Sequence, residues 1–162
     1  MPLASGELLS LAGMMGAGKS SVAALLGHAL GRRVVSTDAH LQARFRKPIP
    51  AVFAEDGEAA FRQAERELVA QLSGDLVVDL GGGAFCDPGS AAHLLRHGRV
   101  VFLDVSQAEA ARRIGAGAGR PLASGWEALH AARLPLYRRA QLTVPVDGLS
   151  AEAVARRILE SL

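Results

Sequence analysis

The stretch Gly13-Met14-Met15-Gly16-Ala17-Gly18-Lys19-Ser20 decides the fold. It matches G-x-x-x-x-G-K-[ST], and its surroundings supply the context that this pattern requires. A short apolar run around Glu7 to Ala12 precedes it, and Val22, Leu25, Leu26 and Leu30 follow it at helical spacing. Strand, glycine loop and helix in that order form a phosphate-binding loop. Glycines let successive backbone N–H groups turn inward around phosphate oxygens, and the helix N-terminus adds about half a positive charge aimed at them. Lys19 then supplies a mobile point charge for the β- and γ-phosphates, and the Ser20 hydroxyl is placed to ligate Mg²⁺. Gly13, Gly16, Ala17, Gly18, Lys19, Ser20 and Ser21 are therefore the expected nucleotide contacts.

Outward from the loop, four more short apolar runs read as strands: Arg33–Val35, Leu76–Leu80, Val100–Val105 and Leu142–Val146. The first three read as strands buried on both faces. Helical patterns separate them over Ala39–Arg46, Glu58–Leu72, Ser90–His97, Gln107–Ile114 and Trp126–Arg139, and a last helix is expected over Ser150–Leu162. Strands alternating with helices imply right-handed crossovers and a parallel sheet. The expected fold class is α/β, a three-layer α/β/α arrangement on a five-stranded parallel sheet. Ligands of such sheets sit beyond the carboxyl ends of the strands.

The chain has 162 residues, 49% hydrophobic and 21% charged, which suits one compact domain over 1–162. Sixteen arginines stand against two lysines, Lys19 and Lys47, yet the formal net charge is only +2. The arginines are spread along the chain without interleaved aromatics, so no nucleic-acid partner is expected. Cys86 is the only cysteine, and there is no apolar run of membrane-spanning length. These features point to the cytoplasm and to no membrane association, with a monomer as the default.

A phosphate loop fixes nucleotide binding but not reaction type. With about 140 residues after the loop there is little room for a motor domain, and no guanine-specifying Asn-Lys-x-Asp motif is present. A small-molecule kinase of the nucleoside monophosphate kinase-like class fits the length, using ATP with Mg²⁺. The acceptor-side residues suit that reading. Asp38, after the second strand, can orient an acceptor hydroxyl in line with the γ-phosphate and take its proton. Arg62 and Arg133 offer planar forks for a carboxylate, and Glu65, three residues past Arg62 on one helical face, can hold that guanidinium. Gly81, Gly82 and Gly83 let backbone N–H groups approach a hydroxylated ring without a side chain in the way.

Taken together, these motifs resemble the shikimate kinase family over nearly the whole chain. The residues that carry the likeness are the phosphate loop, Ser36-Thr37-Asp38, Phe53, Asp56-Gly57-Glu58 with Phe61-Arg62 and Glu65, Gly81-Gly82-Gly83-Ala84, Arg120-Pro121-Leu122, and Arg133-x-Pro135-Leu136-Tyr137. The resemblance implies a P-loop kinase fold and ATP-dependent phosphorylation of the 3-hydroxyl of shikimate, a step of aromatic amino acid biosynthesis. It implies that Asp38, Arg62, Gly81–Gly83 and Arg133 bind shikimate, across an acceptor region at about 37–65. It also implies a lid over about 115–126 that brings Arg120 onto the transferring phosphates. Lys19, Asp38 and Arg120 would then be catalytic. Arg113 matches the family position that stacks on adenine, although the adjacent Arg112 could serve instead. Gly115–Gly119 would give the lid its hinge.

The chain departs from the family in two places. Where the family usually has Asp-x-Asp after the second strand, with the first Asp reaching Mg²⁺ through water, this chain has Ser36. Asp79, at the end of the third strand, resembles a Walker B carboxylate and is expected to compensate; the alternative use of such an Asp is to cap the following turn. The stretch between Arg120 and Arg133 is also shorter than is common in the family, so a short lid is expected. Two other functions fit parts of this pattern: a related kinase such as gluconate kinase, and a nucleotide-binding module without turnover.

Overall fold

In the computed structural model, residues 2–118 and 125–162 are described. The first strand, β1 (Leu8–Ala12), is buried along its entire length, as an uninterrupted Leu-Leu-Ser-Leu-Ala run requires. It is the middle strand of a five-stranded, all-parallel sheet whose remaining members are β2 (Arg33–Ser36), β3 (Leu76–Asp79), β4 (Gly98–Asp104) and β5 (Leu142–Pro145). The spatial order is β2-β3-β1-β4-β5. The register pairs Leu11 with Asp79, Ser36 with Asp79 and Ala12 with Phe102, so the carboxyl ends of the central strands lie along one edge.

Among the described residues the α-helices are α1 (Lys19–Leu30), α2 (Thr37–Phe45), α3 (Ile49–Glu55), α4 (Glu58–Ala70), α5 (Pro88–His97), α6 (Gln107–Ala118), α7 (Trp126–Tyr137) and α8 (Ala151–Ser161). The crossover from β1 through α1 to β2 runs one way across the sheet, and those from β2 to β3 and from β3 to β4 run the other way. Right-handed crossovers of opposite sense put their helices on opposite faces. Accordingly α1 packs with α8, and α4 packs with α5. The connections leaving the adjacent strands β1 and β4 run in opposite directions, so the loop after β1 opens onto the switch point where such sheets bind ligands.

The structure alters several sequence expectations. β2 is an edge strand rather than one buried on both faces: Arg33 and Val34 are exposed and only Val35 is fully buried. Helix α3 lies in a stretch for which no helical pattern was expected. Here Pro48 is the N-cap residue and Pro50 lies in the first turn, where a missing N–H costs nothing. Helix α2 starts at Thr37, capped by the Ser36 hydroxyl accepting from Ala39 N at 3.2 Å, and it stops at Phe45 because Arg46 turns left-handed at φ 58°. Helix α6 continues through Ala118, so Gly115 lies in a helix and not in a hinge.

Two separate apolar clusters result. The large one joins the sheet to its helices and includes Leu9, Val77, Phe102 and Ile158. The small one, formed by Leu41, Val52, Phe61 and Ala64, ties α2, α3 and α4 to one another.

Candidate active site

The loop after β1 adopts the shape that its glycines permit. Gly16 and Gly18 have φ of 91° and 87°, which an L side chain rarely adopts. A Cβ on Gly16 would also meet Ala110 at 2.9 Å. Lys19 opens α1 and turns its ammonium back beneath the loop, where Nζ donates to Gly13 O at 2.6 Å and to Met14 O at 3.2 Å. Burial lowers its pKa to about 8, and the nearby Asp79 and Asp38 carboxylates offset part of that fall. The ammonium therefore sits between two acids without a direct ion pair to either, free to turn toward a phosphate.

Facing this loop is an open cleft of about 770 Å³. Gly16, Gly18, Lys19, Ser20 and Ser21 line one end of it, and Asp38, Arg62, Gly81, Gly82, Gly83 and Arg133 line the other, with Asp79 between them. Gly13 and Ala17 lie beneath the loop and reach the site through their carbonyls, which accept from Lys19 and Arg113. Arg120 and half of the expected lid fall outside the described residues.

The acceptor end is assembled around three consecutive glycines, each of which leaves room for a different side chain. A Cβ on Gly81 would collide with the Asp38 carboxylate; one on Gly82 would come within 2.8 Å of Arg133 Nη1, and one on Gly83 within 2.5 Å of Arg62 Nη1. The glycine run thus serves close approach of protein side chains as much as of a ligand. It is held from two sides. Gly81 N donates to the buried Thr37 hydroxyl at 2.8 Å, and the buried Tyr137 hydroxyl donates to Gly82 O. Burial pushes the Tyr137 hydroxyl up to about 12, keeping it a donor, and its ring stacks on Phe102 at 4.9 Å.

Arg62 is fixed in its fork. Nη1 bonds Glu65 at 2.8 Å and Nε lies 3.4 Å from Glu58, while the guanidinium carbon sits 5.2 Å from the Phe61 ring and 5.8 Å from that of Phe53. Glu65 is 2% exposed, and burial raises its pKa although Arg62 opposes the rise. Burial likewise raises the pKa of Asp38, against the pull of Lys19, Arg62 and Arg133. A carboxylate displaced in this direction is a better proton acceptor than an ordinary surface Asp. Asp79 is raised by burial too, with Lys19 opposing. Among the described residues its carboxylate has no hydrogen-bond partner, so it caps no turn; the next helix, α5, is capped by Asp87 instead.

At the nucleotide end, Arg113 bonds Glu109 at 3.0 Å, Ala17 O at 3.0 Å, Val146 O at 2.9 Å and Leu149 O at 3.2 Å. These contacts use its in-plane donors to bind the phosphate loop to the segment between β5 and α8. Arg112 pairs with the same Glu109 from the exposed face of α6. Thr37 and Tyr137 belong to the motifs that carry the family likeness but had no assigned role, and Trp126 was read only as the start of a helix. The indole of Trp126 donates to Met15 O at 3.1 Å, a contact across 111 residues that no local pattern encodes.

The shikimate kinase family model matches residues 15–162. A shikimate kinase of Synechococcus sp. (strain RCC307) is 43% identical over 97% of this chain and 85% of its own length. The chain belongs to the shikimate kinase family. Another member, from Thermobifida fusca (strain YX), is 41% identical over 99% of this chain and 97% of its own. Among solved structures, the shikimate kinase of Acinetobacter baumannii in complex with shikimate superposes with a TM-score of 0.85 at 30% identity, covering 96% of this chain and 92% of that one. Family membership accounts for the P-loop kinase fold and for the use of ATP. No described helix is long and apolar enough to cross a membrane.

Proposed function

We propose that the chain, acting as one catalytic unit over 1–162, transfers the γ-phosphoryl group of ATP to the 3-hydroxyl of shikimate. The observation that carries this reading is the glycine run, which gathers Asp38, Arg133 and Arg62 at one end of a cleft whose other end is the phosphate loop. Two guanidinium forks suit a ring carboxylate, and Asp38 suits the hydroxyl that attacks. In this mechanism the loop amides and Lys19 hold the β- and γ-phosphates, and Asp38 orients the hydroxyl and accepts its proton. The resemblance gives Arg120 the role of neutralising charge on the transferring group. Catalysis is then largely positioning and electrostatics. A coupled ADP-release assay tests the reading. Release that requires shikimate and is absent with gluconate supports it; equal release with and without shikimate refutes it.

The donor set also fits Mg²⁺. Ser20 lies in the first turn of α1 and lines the cleft, and Asp79 presents a carboxylate without a hydrogen-bond partner among the described residues, near Lys19. Bound there, the ion would draw charge from the β- and γ-phosphate oxygens. Ser36 and Asp79 are paired in register on adjacent strands, so an acid at Asp79 stands across one strand spacing from the position where the family usually carries it. Ser36 is occupied in capping α2. Removing a carboxylate that orients metal-bound water typically costs about 10–100-fold in metal affinity or activity. Asp79→Ser should therefore raise the Mg²⁺ concentration for half-maximal activity, and adding Ser36→Asp should restore much of the loss. An unchanged Mg²⁺ dependence in Asp79→Ser would exclude this role.

A further inference from the structure

We infer that Trp126 is a positioning residue of the phosphate loop: its indole N–H holds the Met15 carbonyl and thereby aims the Gly16 N–H at the nucleotide phosphates. A trans peptide points its C=O and N–H to opposite sides, so fixing one fixes the other. Gly16 has a positive φ and no Cβ, so no side chain of its own holds the Met15–Gly16 peptide against rotation. Half a turn would replace a donor facing a phosphate with a carbonyl oxygen, turning attraction into repulsion. The Met15 side chain is 60% exposed and provides no packing to prevent this. The Trp126 hydrogen bond, 3.1 Å long, does.

The rest of the loop follows the same plan. Gly13 O and Met14 O accept from Lys19, Met14 O also accepts from Ala17 N, and Ala17 O accepts from Arg113. Among the described residues the amides of Gly16, Gly18 and Lys19 have no protein acceptor, so carbonyls are tied to the protein and donors are left for an anion. Met15 O is the one of these carbonyls whose tie comes from α7, the helix that also carries Arg133. The tie is rigid. Trp126 is 6% exposed, and its ring stacks on His130 with centroids 4.9 Å apart and planes at 11°.

The inference rests on the proposed function only as far as nucleotide binding, and the experiment separates the two. Trp126→Phe keeps the ring and removes the donor. By calorimetry its ADP affinity should fall by about five- to ten-fold, the scale of one hydrogen bond, while shikimate affinity changes by less than about two-fold. Trp126 is the only tryptophan, so in the wild-type protein ADP should also shift the intrinsic fluorescence. If Trp126→Phe binds ADP within about two-fold of wild type, the inference is overturned while the function stands. Wild-type protein that binds no ADP overturns both. Should Trp126→Phe fold too poorly for titration, the wild-type fluorescence decides: an ADP response supports the tether, and emission indifferent to saturating ADP refutes it.

Discussion

The two ends of the cleft are built in opposite ways. The phosphate-facing part of the nucleotide end is one continuous stretch, Gly13 to Ser21, which supplies its own amides, lysine and helix and is tied from behind by Arg113 and Trp126. The acceptor end takes Asp38 from α2, Arg62 and Glu65 from α4, Arg133 from α7, and a glycine run after β3 that brings them together. A contiguous site depends on local backbone conformation, whereas an assembled one depends on packing between elements that are distant in sequence. Substitutions at the first should damage chemistry with any acceptor. Substitutions at the second should damage recognition and leave nucleotide binding intact.

The largest effect is expected at the contiguous end. Lys19→Ala removes the charge that grips the transferring phosphates, a loss of about 3 kcal/mol or more in transition-state stabilisation, so kcat should fall by at least about a hundred-fold. Turnover near the wild-type value would remove Lys19 from the mechanism. Next, Arg133→Ala and Arg62→Ala should raise KM for shikimate by tens of fold, about 2 kcal/mol or more for a truncated charge partner, with KM for ATP changed far less. If KM for ATP moved instead, the division between the two ends would be wrong. Asp38→Asn should chiefly lower kcat, because the amide keeps the shape but cannot take the proton.

A sharper probe of assembly is Gly82→Ala, which adds one methyl group and no charge. That methyl would meet Arg133 Nη1 at 2.8 Å, so the guanidinium must shift. Shikimate KM should rise by about ten-fold, on the scale of a misplaced positioning group, without a matching change in ADP affinity measured by calorimetry. Parallel losses for both ligands would mean that the glycine run supports the whole cleft rather than its acceptor end.

The smallest effect concerns the Tyr137 hydrogen bond to the glycine run. Its pKa is raised from 10 to about 12, so the folded state favours the neutral phenol. That contribution to stability is complete below pH 10 and is lost as pH rises toward 12. Tyr137→Phe should therefore unfold with a flatter pH dependence between 10 and 12, at a cost near neutrality of about 1 kcal/mol for the lost hydrogen bond. Thermal midpoints measured across that pH range check it. Lys19 works against this trend in its own window, since its depressed pKa makes folding more favourable as pH rises from about 8 toward 10.5. The Tyr137 comparison should accordingly be made above that range or in both backgrounds.

The same contrast explains what could be read from sequence. The residues of the phosphate loop, its flanking strand and its helix follow one another along the chain and were all legible from spacing, although the ties from Arg113 and Trp126 were not. The order of the strands was not, because β1 sits centrally and β2 at the edge for reasons of crossover handedness rather than composition. Arg33-Val34-Val35 reads as a buried strand by its valines, yet its edge position leaves Val34 exposed. Helix α3 was not legible from spacing. At the acceptor end the residues were visible through family resemblance, but not the reason for three successive glycines, which becomes clear only when Asp38, Arg133 and Arg62 are seen above them. Thr37, Trp126 and Tyr137 act through contacts spanning 44, 111 and 55 residues, beyond the reach of any local pattern.

The small apolar cluster of Leu41, Val52, Phe61 and Ala64 has a consequence for how such a kinase can change over time. It gives α2, α3 and α4 a grip on one another that does not draw on the main core. Residues across these helices that shape the acceptor pocket can therefore be exchanged as a block, with compensation found inside the block, while the sheet and the phosphate loop continue to fold as before. A lineage, or a laboratory library confined to residues 39–64, can sample new acceptors while Asp38, Thr37 and the main core stay unchanged.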